Sequence, residues 1–106
     1  MFVVTDRAQL LAISRGSGRI RWISQLQRYR GGGDNAASGP VFWRGPVLAG
    51  GRLMLLSSMG HVSFINPADG RLMQTINANT SFSLPPVVAD GTMYALDDMG
   101  MLSAWR

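Results

Sequence analysis

Residues Pro46–Asn66 (PVLAGGRLMLLSSMGHVSFIN) recur forty positions later as Pro86–Arg106 (PVVADGTMYALDDMGMLSAWR), without a gap and with eight of 21 positions identical. A shift of 52 finds the same pattern a third time, with Ile13, Gly18 and Arg19 falling on Ile65, Gly70 and Arg71. A period near forty residues, made of short apolar runs and glycine turns, predicts propeller blades, each a small antiparallel sheet. One blade cannot bury both of its apolar faces, so the repeat predicts blades that stack on their neighbours.

The residues within each unit support strands. All ten basic residues are Arg and all six acidic ones are Asp, so the chain lacks Lys and Glu, two good helix formers. Thirteen Gly and five Pro suit frequent turns, and 46% hydrophobic residues exclude a disordered chain. Residues 46–76 read as a complete four-stranded blade: Val47–Ala49, a Gly50–Gly51 hairpin, the continuous apolar run Leu53–Leu56, His61–Ile65, the turn NPADGR, and Leu72–Ile76. An unbroken apolar run is expected where both faces of a strand are covered. Residues 1–26 give the second, third and outer strands of another blade (Phe2–Val4, Leu10–Ile13, Ile20–Leu26). Residues 86–106 give the inner, second and third strands of the last (Val87–Ala89, Met93–Leu96, Met101–Trp105). The expectation is all-β: a β-propeller fragment of about two and a half four-stranded antiparallel blades.

Between the first two units, residues 27–45 form an expanded loop. Gly18 and Pro46 are 28 positions apart where Gly70 and Pro86 are 16 apart, which leaves twelve extra residues. Gly31–Gly33, Asp34, Asn35 and Ser38 predict a flexible centre, and Tyr29, Phe42 and Trp43 predict ends that pack down. Arg28, Tyr29, Arg30, Trp43 and Arg44 are the candidate partner contacts, because Arg and aromatic residues are enriched at interface hot spots and loops carry variable function. The competing reading has Tyr29 and Trp43 anchoring the loop while the Arg side chains are solvated.

Ala12–Trp22 (AISRGSGRIRW) resembles the A-x-D-x-x-T-G-x-x-x-W repeat of pyrroloquinoline-quinone-type propellers: Ala12, Gly18 and Trp22 match, while Ser14 and Ser17 replace the Asp and Thr. Phe64–Gln74 keeps Gly70, and the ending that contains Gly100 and Trp105 resembles the family's terminal blade. The Gly permits the tight turn, and the Trp is expected to wedge against the next blade's backbone. Within this fold, Gly39–Leu53 and the last blade most resemble BamB-type proteins. That resemblance implies an eight-bladed periplasmic lipoprotein of the outer-membrane β-barrel assembly machinery, which acts as a scaffold and not as an enzyme. It implies protein partners in that complex, a place at the periplasmic face of the outer membrane, and membrane contact only through the parent lipoprotein. The remaining blades of such a parent, or further copies of the chain in a homo-oligomer, are expected against the two end blades.

Other chemistry finds less support in the residues. With no Cys, disulfides, thiolate metal sites and Cys nucleophiles are excluded. MFVVTDR lacks the basic start and apolar core of a signal peptide. A quinone-dependent dehydrogenase, the alternative that the wider family suggests, needs acidic and amide oxygens that converge on calcium, whereas Asp90, Asp97 and Asp98 fall in hairpin turns, where Asp is common for conformational reasons. A short propeller piece that associates with itself is the other alternative. His61 stands where the other units have Gln9 and Met101, a pattern of a surface strand position rather than of a catalytic base or metal ligand. Met54, Met59, Met73, Met93, Met99 and Met101 are expected to fill gaps between blades. Residues 1–45 carry seven Arg and two Asp, a basic half read as a solvated edge, with no nucleic-acid partner expected. No catalytic, cofactor-binding or metal-ligating residue is assigned.

Overall fold

Leu53, Met54, Leu55 and Leu56 are all fully buried, and the two faces of their strand explain the whole arrangement. Leu53 and Leu55 point to one side, into a cluster with Leu10 and Ile65 that Phe2, Val4, Trp22, Leu26 and Trp43 border. Met54 and Leu56 point to the other, into a cluster with Val62, Phe64, Phe82, Met93 and Ala95, bordered by Val47, Ile76 and Trp105. Successive strand residues face opposite ways, so a strand covered on both sides must be apolar throughout. This strand lies in the middle sheet of three, and its neighbours come from sheets before and after it in the chain.

The computed structural model describes residues 1–105. The first sheet contains β1 (Phe2–Val4), β2 (Gln9–Ile13) and β3 (Ile20–Gln25). The second contains β4 (Trp43–Ala49), β5 (Arg52–Ser57), β6 (His61–Ile65) and β7 (Leu72–Asn77), and the third β8 (Val87–Ala89), β9 (Thr92–Leu96) and β10 (Leu102–Trp105). Each sheet is antiparallel, with its strands in chain order. β4 lies beside β1 and β8, so the inner edges of the three sheets run together. These are the ten strands that the repeat predicts, in sheets of three, four and three.

The repeat extends to backbone detail. A register shift between Ala12 and Ile13 recurs 52 positions on, between Phe64 and Ile65. The turn between β2 and β3 closes with Gly18 N–H donating to Ser14 O and Ser14 N–H to Arg19 O. The turn between β6 and β7 closes with the equivalent pair, Gly70 to Asn66 and Asn66 to Arg71. Each is a turn whose glycine has a positive φ.

Four expectations need correction. Phe42 does not pack down at the loop's end: it is 54% exposed, with its ring beside the Arg44 guanidinium. The inner strand of the middle sheet begins at Trp43, not Val47, because the chain enters β4 early and bulges over Gly45–Pro46 before resuming its register at Val47. Pro46 has no N–H to give a ladder, which makes the sequence there read as a turn. The centre of the loop is ordered by hydrogen bonds: Ser38 Oγ accepts from Gly31 N–H and donates to Asn35 O, and a short 3-10 turn covers Ala36–Ser38. Only part of the methionine set fills gaps between sheets. Met54 and Met93 are fully buried, whereas Met73, Met99 and Met101 are exposed.

Candidate partner-docking surface

Trp22 is the junction residue between the first two sheets. Its indole Nε1–H donates to the carbonyl of Pro67 at 3.0 Å, 45 positions along the chain. Its ring lies against Gly70, where an added Cβ would come within 2.8 Å of Trp22 Cδ2. Phe2 packs beside it, with ring centroids 6.0 Å apart. The wedge expected from the repeat pattern is therefore present: a Trp from one blade reads the backbone of the next blade's turn, and Gly70 leaves room for it. At the second junction Trp105 sets its ring edge-on to Phe64, centroids 6.2 Å apart. Of the other repeat residues, Ala12 is buried and Gly18 and Gly100 supply turns.

These locked sheets carry the loop between β3 and β4. Its two limbs pair back to back: Val41 N–H donates to Arg28 O and Arg30 N–H to Gly39 O, both at 2.9 Å, with a bridge between Tyr29 and Pro40. Gly33 and Asp34 at its tip fold back beside Gln25–Arg28 around a shallow cleft. The foot is tied by Trp43, whose Nε1–H donates to Gln27 O at 2.8 Å, and by Gln27 Nε2, which donates to Tyr29 O.

The five candidate contacts therefore divide. Arg28 and Arg30 are exposed, and the Arg28 guanidinium stacks over the half-buried Tyr29 ring at 5.2 Å. Trp43 is an anchor, half-buried against the first junction. Arg44 is half-buried as well: its Nε–H donates to Ser83 O at 3.0 Å, and its guanidinium lies 5.9 Å from the Phe42 ring centre. Of the five, only Arg28 and Arg30 are exposed.

Arg44 leads to a feature that sequence reasoning missed. Between β7 and β8 the chain forms a strap across the second junction, and Phe82 drops from it into the core. Asp98, in the turn after β9, holds the strap on both sides of Phe82: its Oδ2 accepts from Ser81 Oγ and from Ser83 Oγ, and its own N–H donates to Ser81 O. The Ser81 hydroxyl, then the Ser83 hydroxyl, holds the Asp98 carboxyl below its ordinary value of 3.8. A carboxyl with a depressed folded pKa contributes stability that is present above the unfolded value and lost as pH falls through the folded one. The expected result is that Asp98→Asn loosens the strap at neutral pH, read as faster amide exchange at Ser81–Ser83. The difference from the parent should shrink and vanish as pH falls below 3.8. A difference that persists in acid would show that the carboxylate charge is not what holds the strap. Asp97 is committed to its own turn, with Oδ1 accepting from Met99 and Met101 N–H at 2.9 Å.

A groove of about 210 Å³ runs between the first two sheets, lined in part by Ser24, Leu26, Trp43, His61, Ser63 and Thr75. His61 is half-buried at its side, and Ser63 Oγ lies 3.4 Å from Thr75 Oγ1. The groove offers hydrogen bonds from hydroxyls and an imidazole, with no carboxylate in its lining.

Sheets in chain order, stacked face to face and locked by an indole on the next sheet's turn, define a stretch of β-propeller. A family model described as outer membrane protein assembly factor BamB matches residues 6–105, and the chain belongs to that family. The crystal structure of BamB from Moraxella catarrhalis superposes with a TM-score of 0.76 at 17% identity, covering 99% of this chain and 29% of that one. The chain thus spans under a third of the length of that propeller, and the likeness is one of fold. No curated protein matches the sequence.

Proposed function

We propose that the chain is a non-catalytic scaffold segment of a BamB-like periplasmic propeller that assists outer-membrane β-barrel assembly. The observation that carries this reading is the family match over residues 6–105. The reading takes residues 1–26, 46–76 and 86–106 as consecutive blades of an eight-bladed ring, at the periplasmic face of the outer membrane, with further blades against both ends. The partner is a protein of the β-barrel assembly complex. Rigid sheets hold the Arg28–Arg30 limb outward, where a guanidinium stacked on an aromatic ring presents five donors at reduced entropy cost. Asp97 and Asp98 are already engaged by their turn and by the strap, which further supports docking over chemistry.

The test is capture of the 106-residue chain by the purified β-barrel assembly complex. Arg28→Ser with Arg30→Ser is expected to weaken capture about tenfold or more, the scale of an interface hot spot, with thermal stability unchanged because both side chains are exposed. Capture unaltered by the double substitution would reduce this limb to solvated surface. Capture that fails for the parent chain would overturn the scaffold reading itself.

A further inference from the structure

The junction between the first two sheets loses its apolar lining from the inner strands outward. Leu10 and Leu55 close it, packed in one cluster. Ser24 is the register partner of Leu10 on the next strand out, Ser63 is the partner of Leu55, and Thr75 is the partner of Ser63. Register partners share a face of an antiparallel pair, so three hydroxyls face into the junction from its two walls. The groove of about 210 Å³ lies there, with all three in its lining. Ser63 is 3% exposed, yet among the described residues its hydroxyl meets only that of Thr75, at 3.4 Å.

The repeat shows that this polar stretch departs from the pattern of the next junction. Adding 52 to Leu10 and Ser24 gives Val62 and Ile76, which are register partners in the same relation, and both pack into the core between the second and third sheets. An Ile at the place of Ser24 continues the apolar seal there, and Ser24 interrupts it. The rest of the lining suits an uncharged ligand. Leu26, Trp43, Ile65 and Leu72 give apolar surface, an indole among them, and neither Asp nor Arg takes part. Two Gln side chains at the rim are held through their Nε2 atoms, which donate to Ala8 O and Leu26 O from Gln25 and to Tyr29 O from Gln27. Each amide is thereby fixed, with its Oε1 left as an acceptor.

We propose that this groove binds one uncharged pyranose ring, as a free sugar or as a unit of a glycan chain. A cavity of about 150 Å³ holds a benzene ring. The larger groove admits a six-membered ring that also carries hydroxyls. Each sugar hydroxyl both donates and accepts, and the C–H faces of the ring are apolar. That pairing matches hydroxyls and amide oxygens set beside an indole and two leucines. A hydrocarbon of the same size would leave the buried Ser63 hydroxyl without a better partner, and an anion would find no guanidinium in the lining. The site goes beyond the scaffold reading and requires none of its partners.

Titration of the purified protein with methyl glucoside, N-acetylglucosamine and the linear tetramer of the latter, followed by NMR, tests this. Saturable shifts are expected at the Trp43 indole N–H and the Thr75 methyl. A tetramer that binds more tightly than its monomer would identify a glycan chain as the source, and equal binding a free sugar. Methyl glucuronide, the same ring with a carboxylate, should bind more weakly than methyl glucoside. Ser24→Ile, which copies Ile76, should abolish the shifts. It leaves Arg28 and Arg30 in place, so loss of sugar binding is separable from loss of capture by the assembly complex. Thr75→Val keeps the shape of an exposed side chain and serves should Ser24→Ile unfold. It should weaken binding about fivefold, roughly the loss of one hydrogen bond. The absence of a saturable shift with all three sugars would overturn the proposal. So would binding that survives Ser24→Ile or that Thr75→Val leaves unaltered. Glucuronide binding equal to or tighter than that of the glucoside would also overturn it, since it would place the ligand on the Arg residues of the loop.

Discussion

Phe64→Ala is expected to destabilise the fold by about 3–5 kcal/mol, the range for emptying a buried aromatic site. Phe64 is 1% exposed at the centre of the second junction. It touches the interior from three sides: the Trp105 ring meets it edge-on, the Arg52 guanidinium lies 4.1 Å from its centre, and Met54, Leu56, Val62, Phe82 and Met93 share its cluster. No single neighbour can fill the space, because those residues belong to strands fixed by their own ladders. Small domains sit near the lower end of the usual ~5–15 kcal/mol of stability, so the loss removes much of what holds the third sheet on. Urea unfolding should show a lower midpoint. A shift corresponding to less than about 1 kcal/mol would mean that the junction does not carry the fold, since conservative core changes reach that size.

Gly60→Ala is the second large effect, by a different cause. Gly60 lies in the turn between β5 and β6 with φ +85°, and the strap crosses directly over it. Ala78 N–H donates to Gly60 O at 2.9 Å. A Cβ there would lie 2.9 Å from the carbonyl carbon of Thr80 and 3.0 Å from its nitrogen, and it would meet the oxygen more closely still. Backbone cannot step aside as a side-chain tip does. Left-handed strain of roughly 1–2 kcal/mol adds to an overpacking cost of roughly 1–3 kcal/mol, so about 3 kcal/mol is expected from thermal or urea unfolding. Gly51→Ala is the control: φ is +74° but the space is open, so it should show the strain alone. Equal losses at the two positions would show that the strap does not rest on Gly60.

The contrast between the junctions shows what a sequence of this kind reveals. The strands, their order and the Trp22 wedge were legible because each recurs at a fixed spacing, and a repeated local pattern needs no knowledge of distant contacts. The strap was not. Phe82 sits among Thr80, Ser81 and Ser83, a polar stretch outside the repeat, and nothing local says that it is core. The clasp depends on Asp98, 17 and 15 positions from the serines it holds, and in sequence Asp98 looks like any turn aspartate. In sequence Trp43 and Arg44 look like loop because Gly45–Pro46 reads as a break, and only the pairing of Trp43 with Ser57 shows that the strand starts before it. The candidate contacts were found as a composition of types. Which of them face outward was set by hydrogen bonds to Gln27 and Ser83 that no spacing announces.

The measurement that bears most directly on the scaffold reading is a titration of the purified β-barrel assembly complex with the 106-residue chain, followed by surface-bound or calorimetric signal. Saturable binding that weakens when Arg28 and Arg30 become Ser is the predicted result, with the wild-type and substituted chains equally folded. A folded wild-type chain that shows no saturable binding to the complex would contradict it.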